Sequence, residues 1–119
     1  MELTITAEPD GLFVVTCPTT MDWSARMELV DAVETEAANR TVRAVLLDMG
    51  NVSYLSSAGL GAICNLLKYV KALGGRLALA RPQATILRLL KTVELPRIIP
   101  TARSLDDARE ILATECCKQ

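Results

Sequence analysis

Two adjacent serines, Ser56 and Ser57, are the residues of this chain whose position best suits chemistry. The segment before them, residues 43–48, is apolar nearly throughout, which predicts a buried strand. The segment after them, residues 60–73, has the apolar periodicity of an amphipathic helix. Serine is a preferred N-cap residue, and a helix start carries unpaired N–H groups and a partial positive charge. One serine can therefore cap the helix while the other presents a hydroxyl that is suited to carry a phosphate.

A catalytic role for either serine lacks the base that it would need. Activation of a serine hydroxyl requires a nearby general base, and the chain contains no histidine. Asp48 is better interpreted as a turn-forming or capping carboxylate, and Lys68 and Lys71 lie about three and four turns along the predicted helix. Leu55 also stands where the G-x-S-x-G motif of α/β-hydrolases has its first glycine. We therefore predict a protein that is not an enzyme.

The glycines Gly59 and Gly61 favour close packing over nucleotide binding. The dinucleotide-binding motif needs a third glycine where this chain has Cys64, and an acidic residue about 20 positions further along, where the chain is apolar and basic. The Gly-Lys-Ser/Thr of a P-loop is absent as well. We expect no cofactor, and we interpret the glycines as positions where a helix approaches the sheet, or a partner approaches the chain, unusually closely.

Composition excludes further classes of function. A net charge of −1 gives no electrostatic attraction for nucleic acid or for an anionic membrane, and no apolar run reaches the roughly 20 residues that span a bilayer. The four cysteines, Cys17, Cys64, Cys116 and Cys117, match no zinc-binding spacing and are expected to be free thiols. We expect no metal site, and a protein that acts in the cytoplasm without inserting into a membrane.

Alternating strand and helix patterns over residues 1–119 predict one α/β domain in the order ββαβαβαβα. The predicted strands are residues 3–7, 12–16, 43–48 and 76–80, and the pair Ile98–Ile99. The signals at helix ends are a cap at Asp22 or Ser24, a stop at Gly74-Gly75, Pro82 as a first helical residue, and a capping box at Ser104 and Asp107. The exposed first strand is a candidate pairing edge for a homodimer.

The chain resembles the STAS domain, the family named after sulfate transporters and anti-sigma-factor antagonists. The resemblance is carried by the apolar run Val45-Leu46-Leu47-Asp48 and by the segment that follows it, residues 52–61, which includes Ser-Ser-Ala-Gly-Leu. It covers nearly the whole chain and extends to Leu105-Asp106-Asp107-Ala108. The resemblance implies a four- to five-stranded mixed β-sheet with about four α-helices packed mainly on one side.

The antagonist branch of this family implies a phosphorylation switch. By this resemblance Ser57 is the residue phosphorylated, with Ser56 as the second choice, by an anti-sigma factor that is also a serine kinase of the histidine-kinase ATPase type. The unphosphorylated form binds that partner and frees the sigma factor for transcription, and a PP2C-type phosphatase restores it. Antagonists often carry aspartate where this chain has Ser56. The alternative role within the family is a regulatory subunit of a membrane transporter, docking on its ATPase.

The resemblance also implies a partner-binding surface around Ser57. Asp22 aligns with a family aspartate in the loop after the second strand, so it is expected on the same rim as Ser57. Trp23 is interpreted equally well as a core anchor or as an exposed contact. The expected contact residues are Asp22, Trp23, Ser53, Ser56, Ser57, Ala58, Gly59 and Leu60.

Overall fold

Strands and helices alternate along the chain in the computed structural model, which describes residues 3–38 and 41–116, with the backbone alone for residues 23–27 and 114–116. The elements are β1 (Thr4–Ala7), β2 (Leu12–Thr16), β3 (Thr20–Met21), α1 (Trp23–Ala37), β4 (Ala44–Asp48), β5 (Tyr54–Leu55), α2 (Ser57–Ala72), β6 (Arg76–Ala80), α3 (Ala84–Thr92), a 3₁₀ turn (Leu95–Arg97), β7 (Thr101–Ala102) and α4 (Leu105–Cys116).

Five of these strands form one mixed sheet in the order β1-β2-β4-β6-β7. The hairpin strand β1 pairs antiparallel with β2, and all other neighbours are parallel. Parallel pairing requires crossover connections, which α1, α2 and α3 supply, so the carboxyl ends of β2, β4 and β6 meet at one edge. The sheet predicted by the family resemblance is therefore confirmed. A separate parallel pair, β3 with β5, was not predicted.

Both faces of the sheet are buried, but by different numbers of helices. One face packs through Val15, Val45 and Leu47 into the core that contains the apolar residues of α1, α2 and α3. The other face is lined mainly by small residues, Ala44 and Ala78 among them, and is covered by α4. Helices therefore lie mainly on one side, as expected. Burial on both faces also explains why every residue of β4 is buried and the strand shows no polar alternation.

Two predictions at helix and strand boundaries were wrong. Pro82 is not the first residue of α3, because Arg81 turns the chain with φ +44° and the extended Gln83 occupies the N-cap position. Ile98 and Ile99 do not form a strand, because both of their N–H groups donate to the carbonyl oxygen of Leu95 and are lost to any ladder. Ile99 is nevertheless fully buried, so its apolar character reflects core packing rather than strand pairing.

The predicted stop of α2 and the serine cap of α4 are confirmed. The side chain of Ser24, one of the two residues predicted to cap α1, lies outside the described residues. Helix α2 ends at the C-cap Leu73, and Gly74 follows it with φ +80°, a conformation that glycine adopts without steric cost. The Ser104 hydroxyl accepts a hydrogen bond of 3.0 Å from the N–H of Asp107 at the start of α4. Within residues 3–38 and 41–116, none of the helices combines the length and apolarity needed to cross a bilayer.

Candidate functional site

The candidate site lies at the edge where the carboxyl ends of β2 and β4 meet. Two segments that are distant in sequence, residues 19–22 and 49–60, join there and are called the rim below. Their strands β3 and β5 pair in parallel with Thr20 opposite Tyr54. The carbonyl oxygen of Thr19 accepts the N–H of Ser53 at 2.8 Å, and that of Met21 accepts the N–H of Ser56 at 3.0 Å. These backbone bonds position the residues that begin α2.

Ser56 is the N-cap of α2. Its backbone is extended (φ −89°, ψ 173°), and its Oγ accepts a hydrogen bond of 3.2 Å from the N–H of Gly59. The same hydroxyl donates to the carbonyl oxygen of Met21 at 3.4 Å. Aspartate, which antagonists often carry at this position, is an equally good N-cap acceptor. The departure from the family pattern therefore preserves the capping chemistry.

Ser57 is the first residue of α2, and its side chain is exposed. The first turn of this helix contains no acidic residue, so no carboxylate on it opposes a negative charge there. The unpaired N–H groups and the positive end of the helix dipole favour such a charge. The two neighbouring serines thus differ in role: Ser56 caps the helix, and Ser57 presents its side chain to solvent.

Gly59 is buried where α2 meets the backbone of β3. A Cβ at this position would overlap the carbonyl oxygen of Met21 and lie 2.8 Å from Cδ1 of Leu55. Both neighbours belong to the β3–β5 pair, so the helix start can come this close to it only with glycine. Of the two interpretations offered for this glycine, the structure supports close packing of the helix.

The remaining predicted contact residues differ in exposure. Ser53 is exposed, and its hydroxyl donates to the carbonyl oxygen of Thr19 at 3.3 Å. Ala58 and Leu60 are half-buried, and Leu60 packs against the main core. Asp22 is half-buried and follows Met21 directly, at the end of the segment 19–22. The side chain of Trp23 lies outside the described residues.

Sequence reasoning missed Tyr54, which is the most exposed aromatic side chain among those described. It is 56% exposed in β5, beside the buried Leu55. In the sequence, the only sign of this strand was a tyrosine followed by an apolar leucine, and two residues are too few to distinguish a strand from a loop. The rim therefore exposes an aromatic ring close in sequence to Ser57, and aromatic residues are enriched at binding interfaces.

Asp48 ends β4 at the same edge and is almost fully buried. Its Oδ1 accepts the N–H of Gly50 at 3.0 Å, which confirms a turn-forming carboxylate, and the unforeseen Arg81 donates to both of its oxygens at 2.7 and 3.0 Å. Burial acts to raise the pKa of Asp48, but the hydrogen bonds from Arg81 and Gly50 outweigh it and lower that pKa. These hydrogen bonds therefore stabilise the folded chain fully above the unfolded-state pKa of Asp48. That stabilisation is lost as the pH falls through the lower pKa that Asp48 has in the folded chain.

The described thiols are free. Cys17 is buried, and burial, with a smaller contribution from Asp48, raises its pKa to about 12. Cys64 is half-buried in α2. Cys116 and Cys117 have no described side chains. Among the described residues, no cluster of three or more Cys, Asp or Glu side chains is arranged to hold a metal ion.

One groove of the molecule lies away from the rim. A groove of about 940 Å³ opens at the opposite edge of the sheet, beside the end of α2, and its walls include Lys71, Arg76, Arg97 and Ile98. The groove contains none of the rim residues. The rim and this groove are therefore separate surfaces of the molecule.

Comparison with known proteins identifies the family. The sequence model of the STAS domain matches residues 4–108. A candidate anti-sigma factor antagonist of Thermotoga neapolitana is 33% identical over 75 residues, which are 63% of this chain and 66% of the relative, just under two thirds of its length.

Solved structures share the fold. The anti-sigma factor antagonist SpoIIAA in its unphosphorylated form superposes with a TM-score of 0.78 at 16% identity, over 95% of this chain and 97% of that one. The phosphorylated form from Bacillus gives 0.69 at 16% identity, over 92% and 97%. The murine anion transporter Slc26a9 gives 0.70 at 17% identity, over 87% of this chain but only 18% of the transporter. With the family model matched over residues 4–108, this chain belongs to the STAS domain family.

Proposed function

We propose that this chain is an anti-sigma-factor antagonist that works as a phosphorylation-switched binding protein in the cytoplasm. Its unphosphorylated rim binds an anti-sigma factor that is also a serine kinase of the histidine-kinase ATPase type, and the sigma factor is released for transcription. The observation that carries the proposal is the division of roles between the two serines. Ser56 supplies the cap, and Ser57 is exposed at the positive end of α2.

Phosphorylation of Ser57 acts through electrostatics at the docked surface. It adds about −1.5 to −2 charges to a side chain that follows the exposed Ser53 and Tyr54 closely in sequence. A charge of this size is costly to desolvate in an interface that offers no matching cation. If the binding free energies of the unphosphorylated and phosphorylated forms differ by about 3 kcal/mol, phosphorylation weakens binding by more than a hundredfold. A PP2C-type phosphatase removes the phosphate and restores binding.

The cap on Ser56 lets the switch act without unfolding the helix. The Ser56 hydroxyl, and not that of Ser57, accepts the N–H of Gly59. A phosphate on Ser57 leaves this hydrogen bond intact and lies at the end of α2 where the dipole favours it. The phosphorylated chain is therefore proposed to keep its fold and to lose only its affinity for the partner.

Incubation with the cognate kinase and Mg-ATP, followed by peptide mass spectrometry, tests the modified residue. We expect label at Ser57 in the wild-type chain and in Ser56→Ala, and none in Ser57→Ala. The Ser56→Ala variant is the matched control, because it removes the neighbouring hydroxyl one residue away. Label found solely at a residue other than Ser57 would contradict the assignment.

Titration of the kinase with charge variants tests the switch. Ser57→Ala is expected to bind like the wild type, and Ser57→Glu to bind about a hundredfold more weakly. Thr35→Glu is the control, since it adds a charge to an exposed hydroxyl residue near the end of α1, away from the rim. Equal affinity of Ser57→Glu and Thr35→Glu would show that the position of the charge does not matter and would refute the switch.

The second candidate is a regulatory subunit of a membrane transporter that docks on its ATPase. The observation in its favour is that the same fold occurs within the anion transporter Slc26a9. Co-purification from the native host distinguishes the two roles: a small kinase of the histidine-kinase ATPase type supports the antagonist, and the ATPase of a transporter supports the alternative.

A further inference from the structure

We infer that Arg81, which lies outside the Ser-Ser-Ala-Gly-Leu segment, is a positioning residue for the docking surface. It holds the loop between β4 and β5, residues 49–53, and this loop leads directly into Tyr54 and Ser57. The inference rests on the proposed function, because it assigns Arg81 a part in partner binding. It also makes a claim about the isolated chain, which is tested without any partner.

The first contact is a paired hydrogen bond between Arg81 and Asp48. Arg81 Nε lies 2.7 Å from Asp48 Oδ1, and Nη2 lies 3.0 Å from Oδ2. The carboxylate side chain is 7% exposed and the arginine side chain 48% exposed, so a partly exposed cation is tied to a buried anion. Two parallel bonds restrict the orientation of the guanidinium plane, which lysine cannot reproduce.

The second set of contacts holds Gly50, the second residue of the loop, on three sides. Its N–H donates to Asp48 Oδ1 at 3.0 Å, and its carbonyl oxygen accepts Nε2 of Gln83 at 3.0 Å. A Cβ at Gly50 would lie 2.8 Å from Nε and Cζ of Arg81, so the guanidinium packs directly against this backbone. Arg81 and Gln83, which both lie in the connection between β6 and α3, therefore contact the loop at Gly50.

Hydrogen bonds at the far end of the loop connect it to the other segment of the rim, residues 19–22. The N–H of Val52 donates to the carbonyl oxygen of Met49 at 3.1 Å, and the N–H of Ser53 donates to that of Thr19 at 2.8 Å. The loop is thus closed on itself and attached to the segment that contains β3. Movement at Gly50 would be transmitted to Ser53 and Tyr54, because only two residues lie between Gly50 and Ser53.

Arg81 has a backbone conformation that is unusual for a residue with a Cβ. Its φ of +44° lies in the left-handed region, where a Cβ comes too close to the following carbonyl oxygen. Its N–H donates to the carbonyl oxygen of Ala102 at 2.8 Å, which holds the residue in this conformation. Glycine or asparagine would turn the chain here at a lower cost. An arginine at such a position is consistent with a role of the guanidinium that outweighs local strain.

The opposite edge of the sheet supplies a matched control. Arg109 makes a similar paired contact there, donating to both carboxylate oxygens of Glu8 at 2.6 Å. Arg109→Ala removes an ion pair of the same type without touching the loop. A merely structural role for Arg81 predicts that Arg81→Ala and Arg109→Ala change the thermal stability and nothing else.

Amide hydrogen exchange of the isolated chain tests the first half of the inference. In Arg81→Ala we expect exchange over residues 49–55 to be about tenfold faster, with the strands β1 and β2 unchanged. Arg109→Ala should leave exchange over residues 49–55 as in the wild type, and Arg81→Lys should be intermediate. Gln83→Ala, which removes only the bond to Gly50, gives a second reading if Arg81→Ala does not fold. Unchanged exchange over residues 49–55 in both Arg81→Ala and Gln83→Ala would overturn the inference.

Affinity for the kinase-type partner tests the second half. Arg81→Ala is expected to bind about tenfold more weakly, Arg81→Lys less so, and Arg109→Ala like the wild type. Wild-type affinity in Arg81→Ala, despite a loosened loop, would overturn the positioning role. Failure of the wild-type chain itself to bind such a partner would instead contradict the proposed function. The exchange measurement on the free chain distinguishes these two failures.

Discussion

Both ends of helix α2 depend on glycine, but for opposite physical reasons. At the start, a Cβ on Gly59 would meet the backbone of β3, so crowding excludes every other residue. At the end, a Cβ on Gly74 would meet nothing within 4 Å, and only the φ of +80° favours glycine. The same residue type is therefore needed for a tertiary contact at the start of this helix, and for a local backbone conformation at its end.

The hydrogen bonds at the two ends follow the same division. The start of α2 is attached to the distant residue Met21, which accepts the N–H of Ser56. The end closes on its own helix, because the N–H groups of Gly74 and Gly75 donate to the carbonyl oxygens of Lys71 and Val70 at 2.9 Å. The start of α2, which carries the candidate site, is therefore held by a hydrogen bond to a distant segment.

Gly59→Ala is expected to have the largest effect on stability. The added methyl group must displace either the Met21 backbone or the helix start, and overpacking of this kind costs about 3 kcal/mol. Urea unfolding measures the loss. We also expect weaker kinase binding, because the helix start carries Ser57. An unchanged unfolding midpoint would show that the close approach at this end is not needed.

Ser56→Ala should cost about 1 kcal/mol, since the N–H of Gly59 loses its acceptor. Ser56→Asp is the control, because aspartate can accept the same hydrogen bond, and its stability should be close to that of the wild type. Both variants are compared by urea unfolding at neutral pH. Equal losses in the two would contradict the capping role.

Gly74→Ala is expected to cost about 1 kcal/mol, because the new methyl group enters open space and only the left-handed backbone opposes it. Gly74→Asn should cost less again, as asparagine tolerates this conformation. Thermal unfolding of the two variants tests the distinction. A loss as large as that of Gly59→Ala would remove the contrast between the two ends.

Ser57→Ala should change stability least, by less than about 0.5 kcal/mol, because the side chain is exposed and does not cap the helix. Its stability is measured beside that of Ser56→Ala under the same conditions. A loss equal to that of Ser56→Ala would mean that both hydroxyls support the helix. The expected result instead separates the residue that stabilises the site from the residue proposed to be switched.

Much of the fold was predictable from local patterns. The apolar run of β4, the periodicity of α2 and the stop at Gly74 each reflect the preferences of a few neighbouring residues. The β3–β5 pair was not predictable, because it joins two-residue strands 34 positions apart, Thr20 with Tyr54, and neither has enough residues to show a period. The pair Ile98–Ile99 was misleading for a related reason, since two apolar residues alone do not distinguish a strand from a turn.

The sequence by itself determined that a polar, serine-containing turn precedes an apolar helix, because capping and amphipathicity are properties of adjacent residues. It left open which serine caps and which is exposed. Only the tertiary structure decided this, through the backbone of Met21, which holds Ser56 inward and excludes a side chain at Gly59. The same is true of Arg81, whose contact with Asp48 spans 33 residues and has no local signature. Contacts between distant segments, unlike caps and periods, exist only once the chain has folded.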